Sequence, residues 1–193
     1  MKNFFDLNNL SPKFKEFYDR VGVEKSSSIF GAVEPLKTII PTGLNKKILY
    51  ITSDFVTAGR VFELYQNMFG ERACQLKPTP DNLVFTKFKS VETLVENSIS
   101  LSKIASGQID VVVAPINSVL KFYPTKQDIL KTTINLKVNQ VIEPKKLAEK
   151  LVQAGYIRQD LAGEASTFSL RGDVLDVFPI GSEIAYRIDF FVK

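Results

Sequence analysis

A chain of 193 residues with 45% hydrophobic and 24% charged side chains can build a real core, as one domain or two modest ones, and wholesale disorder is excluded. Its single cysteine, Cys74, closes no internal disulfide, and the absence of histidine excludes the usual zinc sites together with Ser-His-Asp and Cys-His catalysis. The net charge is a modest +4, no apolar run approaches the ~18 residues of a membrane helix, and Met1–Asp6 lacks the apolar centre of a signal peptide, so the expected compartment is the cytoplasm with no membrane partner.

Ser11-Pro12 offers a cap and a first helical position, which predicts a short helix through Lys13–Tyr18. Ser26-Ser27-Ser28 is a short polar connector. Gly31-Ala32-Val33-Glu34-Pro35-Leu36-Lys37-Thr38 then has the spacing of a phosphate-binding loop, G-x-x-x-x-G-K-[ST], with Leu36 in place of the second glycine. Such a loop works because consecutive backbone N–H groups curl round phosphates at a helix N-terminus. Leu36 brings a Cβ where the chain must approach the nucleotide, Pro35 removes a donor, and Glu34 adds a negative charge. Each change opposes ATP, so no nucleotide and no other cofactor is expected; Lys37 and Thr38 read as ordinary helix residues or as a relic.

Lys47–Thr52 is a compact apolar strand, and Phe55–Phe69 an amphipathic helix with Val61, Leu64, Tyr65 and Met68 at helical spacing and Gly70 as its stop. Cys74 fits a small buried residue at a strand start. Ser90–Ala105 gives another helix, with Val91, Leu94, Val95, Ile99 and Leu101 on one stripe, and Asp110–Ala114 another apolar strand ended by Pro115. Strands apolar at every position belong in a parallel sheet covered on both faces. The fold class expected is therefore α/β, with a parallel-sheet lobe over residues 1–122 and a smaller α+β lobe over 123–193.

In the second lobe, Ile129–Val138 alternates as a strand through Thr132, Ile134, Leu136 and Val138. Pro144 opens a helix whose stripe is Leu147, Ala148, Leu151 and Val152, ending at Gly155. Seven lysines stand against three acidic residues in 121–150, but they lie about five apart with no aromatic interleaving, so a solvated face is expected and nucleic acid is not implied. Val174, Leu175, Val177 and Phe178 form a dense apolar run stopped by Pro179 and Gly181, and Ile184–Phe191 alternates with period two. The two read as antiparallel strands, with Gly172 marking a tight turn or bulge. Asp173 and Asp176, an odd number of positions apart, would face opposite ways on a strand and hold no metal together.

The string Phe168-Ser169-Leu170-Arg171-Gly172-Asp173-Val174-Leu175-Asp176-Val177-Phe178-Pro179, with Gly181-Ser182-Glu183, Tyr186–Phe191 and, upstream, Ala154–Arg158, resembles the segment shared by the repair protein UvrB and the transcription-repair coupling factor Mfd. Weaker resemblance extends over nearly the whole chain. In that family the segment belongs to the small domain that docks on UvrA, the damage-recognition ATPase of nucleotide excision repair. The resemblance implies UvrA as partner and Arg158, Arg171, Phe178, Arg187 and Asp189 as docking positions. Arginines would offer planar donors to acidic groups, Asp189 a reciprocal charge and Phe178 a packed anchor. Ser169 stands where UvrB carries a further arginine. UvrB has an intact phosphate loop, which the Mfd module has lost, so Gly31, Leu36, Lys37 and Thr38 look like a degenerate P-loop of the Mfd kind within a lobe resembling a helicase domain. The family continues with acidic residues beyond Phe191-Val192-Lys193, so the chain is expected to be truncated there. The implied function is a non-catalytic module that recruits UvrA to RNA polymerase stalled at DNA damage. The full-length protein implied is a DNA translocase ATPase with RNA polymerase and duplex DNA as its further partners. The alternatives are a nucleotide-binding UvrB-like helicase or excinuclease fragment, and a DNA-binding domain.

Overall fold

The computed structural model describes residues 11–23, 26–79 and 87–190; Met1–Asp6 and the Phe191-Val192-Lys193 end lie outside them, as does the side chain of Val91. The elements are α1 (Pro12–Val23), α2 (Leu36–Ile39), a 3-10 turn (Ile40–Leu44), β1 (Ile48–Thr52), α3 (Phe55–Phe69), β2 (Ala73–Gln75), α4 (Lys87–Ala105), β3 (Val111–Pro115), α5 (Ile116–Val119), α6 (Lys126–Thr132), α7 (Pro144–Gln153), β4 (Ile157–Arg158), β5 (Thr167–Arg171), β6 (Val174–Phe178) and β7 (Tyr186–Asp189). They fall into two compact units, residues 1–78 with 107–121, and residues 79–106 with 122–193. The last crossing falls beside the expected boundary at 122/123, while α4, inside the expected first domain, packs with the second unit.

The first unit is a three-stranded parallel sheet in the order β1-β3-β2. Its core is the seam between α3 and one sheet face: Ala58, Val61, Tyr65 and Phe69 bury themselves against Ile48, Ala73, Val111 and Val113. The helix begins where the sequence stops offering strand residues. Asp54 caps it, its carboxylate accepting from the Thr57 amide (2.8 Å) and the Thr57 hydroxyl (2.8 Å). Cys74 is buried on β2, as expected of a small residue there. The other sheet face departs from expectation: Leu49 and Ile51 on β1 stay 54% and 46% exposed. The strands are apolar at every position, yet β1 is an edge strand, and the helix connecting β2 to β3 packs with the second unit.

In the second unit four strands form a mixed sheet, β4-β5-β6-β7, parallel only at β4–β5. Leu147 and Leu151 of α7 pack on Phe168, Leu175 and Val177, with Ile134, Leu170, Ile188 and Phe190 at the rim. Each fully buried apolar side chain in such a layer contributes about 1.5–3 kcal/mol. Val152, expected on the same stripe, is exposed. β5 and β6 are joined by a two-residue loop, Gly172-Asp173, with the glycine at φ +57° as hairpin geometry demands. A second glycine matters for closeness: a Cβ on Gly181 would run into Ile99 of α4.

The strand expected over Ile129–Val138 is not there. α6 occupies residues through Thr132 and an irregular segment follows. Thr125 caps that helix, accepting from the Asp128 amide and donating to the Asp128 carboxylate at 2.6 Å. Of the alternating apolar residues only Ile134 reaches the core, and Val138 is 93% exposed. A local cap outweighed an alternation that had no sheet to join.

Candidate functional site

The register of the second sheet decides which side chains share a face, because partners across a ladder point the same way. Phe168, Val177 and Tyr186 stand in one row, and Leu170, Leu175 and Ile188 in another, both on the α7 side. The opposite face carries three other rows. At one end are Ile157, Thr167 and Phe178; in the middle Ser169, Asp176 and Arg187; at the hairpin end Arg171, Val174 and Asp189. Rows two residues apart along a strand are ~7 Å apart, so this face runs about 14 Å from an apolar end to a charged one.

Four of the five residues singled out in the sequence, Arg171, Phe178, Arg187 and Asp189, therefore lie on this one face. Arg171, Arg187 and Asp189 are exposed and Phe178 is half-buried. Arg158 is set apart: it is in register with Phe168, on the edge strand β4, and its guanidinium reaches along that edge to donate to the Leu170 carbonyl at 3.3 Å. Among the described residues the side chains of Arg171 and Asp189 close no hydrogen bond or ion pair, so both are available to a partner.

Arg187 is different. Its Nε donates to Asp176 Oδ1 at 2.7 Å and its Nη2 to Oδ2 at 3.0 Å, a bidentate pair between neighbouring strands. Those hydrogen bonds hold the Asp176 carboxyl below the usual carboxylate range, with Arg171 adding a smaller attraction, and they raise the Arg187 guanidinium in turn. Sequence reading weighed Asp176 only with Asp173 as a metal pair and missed this role, because the partner of Asp176 is fixed by register and not by spacing. Among the described residues no cluster of three or more Cys, Asp or Glu could hold a metal. Ser169 lies beside Asp176 in the same row, buried, its hydroxyl without a hydrogen-bond partner among the described residues.

The Gly31–Thr38 segment is arranged quite unlike a phosphate cradle. Among the described residues no strand precedes Gly31, and α2 is a single turn. The amides of Lys37, Thr38 and Ile39 are taken by the carbonyls of Val33 (3.2 Å), Pro35 (3.0 Å) and Pro35 again (3.1 Å). Thr38 is buried, its hydroxyl donating to Glu34 at 3.0 Å and its carbonyl accepting from the Tyr65 hydroxyl at 2.6 Å. Lys37 points to solvent. The long helix of this unit, α3, has its N-terminus occupied by the Asp54 carboxylate, which those hydrogen bonds hold down to about pKa 2.

Comparison with known proteins bears on the second sheet directly. Residues 134–193, which include all four of its strands, match the family described as the UvrB interaction domain. The transcription-repair-coupling factor of Bacillus subtilis (strain 168) is 28% identical over 149 residues, covering 76% of this chain and 13% of the relative. That of Escherichia coli (strain K12) is 28% identical over 112 residues, 58% of this chain and 10% of the relative. UvrABC system protein B of Idiomarina loihiensis is 29% identical over 115 residues, 59% of this chain and 17% of the relative. The chain thus spans only a small part of the length of the curated relatives it matches. Together the matches support a UvrB-homology module, with the second sheet inside the segment that resembles the UvrB interaction domain. The matches over the larger share of the chain are to transcription-repair coupling factors, so the likeness is of the Mfd kind.

Proposed function

We propose that this chain is a non-catalytic docking module that binds UvrA through the outer face of its second sheet. The observation carrying the proposal is the convergence of Arg171, Phe178, Arg187 and Asp189 on one face of the segment that matches the UvrB interaction domain. That face has the makings of a specific interface: a half-buried aromatic at one end, exposed charges of both signs at the other, and a rigid layer behind it. Arg158, at the sheet edge, would contribute only to a partner that wraps round β4. By the same resemblance, the module belongs to a longer cytoplasmic coupling factor and recruits UvrA to RNA polymerase stalled at damage. The ATP-driven motor, the polymerase contact and the duplex DNA contact would lie in other parts of that protein.

We read Gly31, Leu36, Lys37 and Thr38 as a degenerate P-loop. The support is that the Lys37, Thr38 and Ile39 amides and the Thr38 hydroxyl are satisfied within the chain, with a carboxylate already beside Thr38. The division into an α/β domain ending near residue 122 and a UvrA-binding domain after it is part of the same proposal, with α4 joined to the latter. Calorimetric titration of the chain with UvrA tests the reading: saturable binding is expected, and no heat at tens of micromolar would reject it.

A further inference from the structure

Arg187 stands on the edge strand β7 with 66% of its side chain exposed, a position from which a free arginine would sample many rotamers and lose that freedom on capture. Asp176 removes the difficulty. It faces Arg187 across the β6–β7 ladder, spends both carboxylate oxygens on Nε and Nη2, and is itself only 17% exposed. A guanidinium has two forks, one along the Nε side and one at its tip. The Nε-side fork is filled, and the tip, with both Nη1 hydrogens and one on Nη2, is not. We propose that Asp176 is a positioning residue, touching no partner atom itself, that fixes Arg187 so that the tip fork is presented to an acidic group of the docking partner. The inference rests on the UvrA reading and adds to it the residue that organises the site.

The test is UvrA affinity, by titration calorimetry, of the parent chain and of Asp176→Asn, Asp176→Glu, Arg187→Ala, Arg187→Lys and the double variant Asp176→Asn with Arg187→Ala. Asp176→Asn is expected to weaken binding about three- to ten-fold, the range for freeing one rotamer-rich interface side chain. Asp176→Glu should recover part of that loss. The double variant should bind like Arg187→Ala alone, because Asp176 acts only through Arg187; a purely structural role would instead add its own loss. Arg187→Lys keeps the charge but cannot span both oxygens, and should also weaken binding, which keeps the test sound if Asp176→Asn folds poorly. Binding by Asp176→Asn as tight as the parent or tighter, additive losses in the double variant, or a lysine variant equal to the parent would each overturn the proposal. The docking reading has its own readout in Arg171→Ala and Phe178→Ala: if both bind like the parent, that reading fails while the Asp176–Arg187 coupling is still measured. A parent chain that does not bind UvrA overturns both.

Discussion

The two units treat their polar groups in opposite ways. Around Gly31–Thr38 in the first, Lys37 is exposed but the other groups at the end of the segment are turned inward: the Lys37, Thr38 and Ile39 amides to local carbonyls, the Thr38 hydroxyl to Glu34, the Thr38 carbonyl to Tyr65. At the charged end of one sheet face of the second, Arg171 and Asp189 are left exposed, and Arg187 is tied to a neighbour on its own sheet. The same elementary demand explains both. A buried polar group must be satisfied within the chain, whereas an exposed charge on a rigid strand costs little and stays available. On the proposed reading the first region is scaffold and the second carries the recognition chemistry.

That contrast can be broken by substitution. The largest effect is expected at the layer behind the docking face: Phe168→Ala should destabilise the second unit by about 3–5 kcal/mol in urea denaturation, since the ring is fully buried against α7. A loss below ~1 kcal/mol would mean the face has no rigid backing. Next comes Tyr65→Phe, which deletes the hydroxyl bonded to the buried Thr38 carbonyl and should cost about 1–2 kcal/mol while leaving UvrA affinity untouched. A fall in affinity would blur the division between scaffold and docking face.

Acid should act on both units in the same direction. The Asp54 carboxyl is held to about 2 by the Thr57 amide first, then by the hydroxyls of Thr57 and Ser53, and the Asp176 carboxyl is lowered by Arg187. Both folded-state values lie below the unfolded one, so their stabilisation is fully present above roughly pH 4 and is lost as pH falls below it, toward about 2 for Asp54. Melting temperature against pH should decline over that window, and Asp54→Asn should flatten part of the decline; an unchanged profile would show that the cap does not contribute. The smallest expected signal is none: ATP with Mg²⁺ should give no calorimetric binding in the micromolar range, because the Lys37 and Thr38 amides are already taken. Micromolar binding would return the first unit to nucleotide chemistry.

Elements with strong local signals were legible in the sequence. Phe55–Phe69 is a helix over the residues its spacing indicated, and Gly172 makes the turn its position implied. What needed distant partners was not. The alternation in Ile129–Val138 has the period of a strand, but with no neighbouring strand to pair with, Thr125 and Asp128 started a helix instead. Leu49 and Ile51 suggested a sheet buried on both faces, and no local signal told that α4 packs with the other unit. At the docking face the sequence supplied the residues, while the ladder register supplied their grouping. It separates Arg158 from the other four and pairs Arg187 with Asp176.

If the charged end of the sheet face opposite α7 binds UvrA without holding the fold together, affinity and stability must part company there. Arg171→Ala separates the two most directly, because this exposed side chain closes no hydrogen bond or ion pair among the described residues and only weakly attracts Asp176. UvrA affinity and thermal melting should be measured on the same preparation. A loss of about 2–5 kcal/mol in binding, roughly 30-fold or more, is expected, with stability shifted by only about half a kcal/mol. Unchanged affinity, or a melting transition that collapses with the binding, would contradict it.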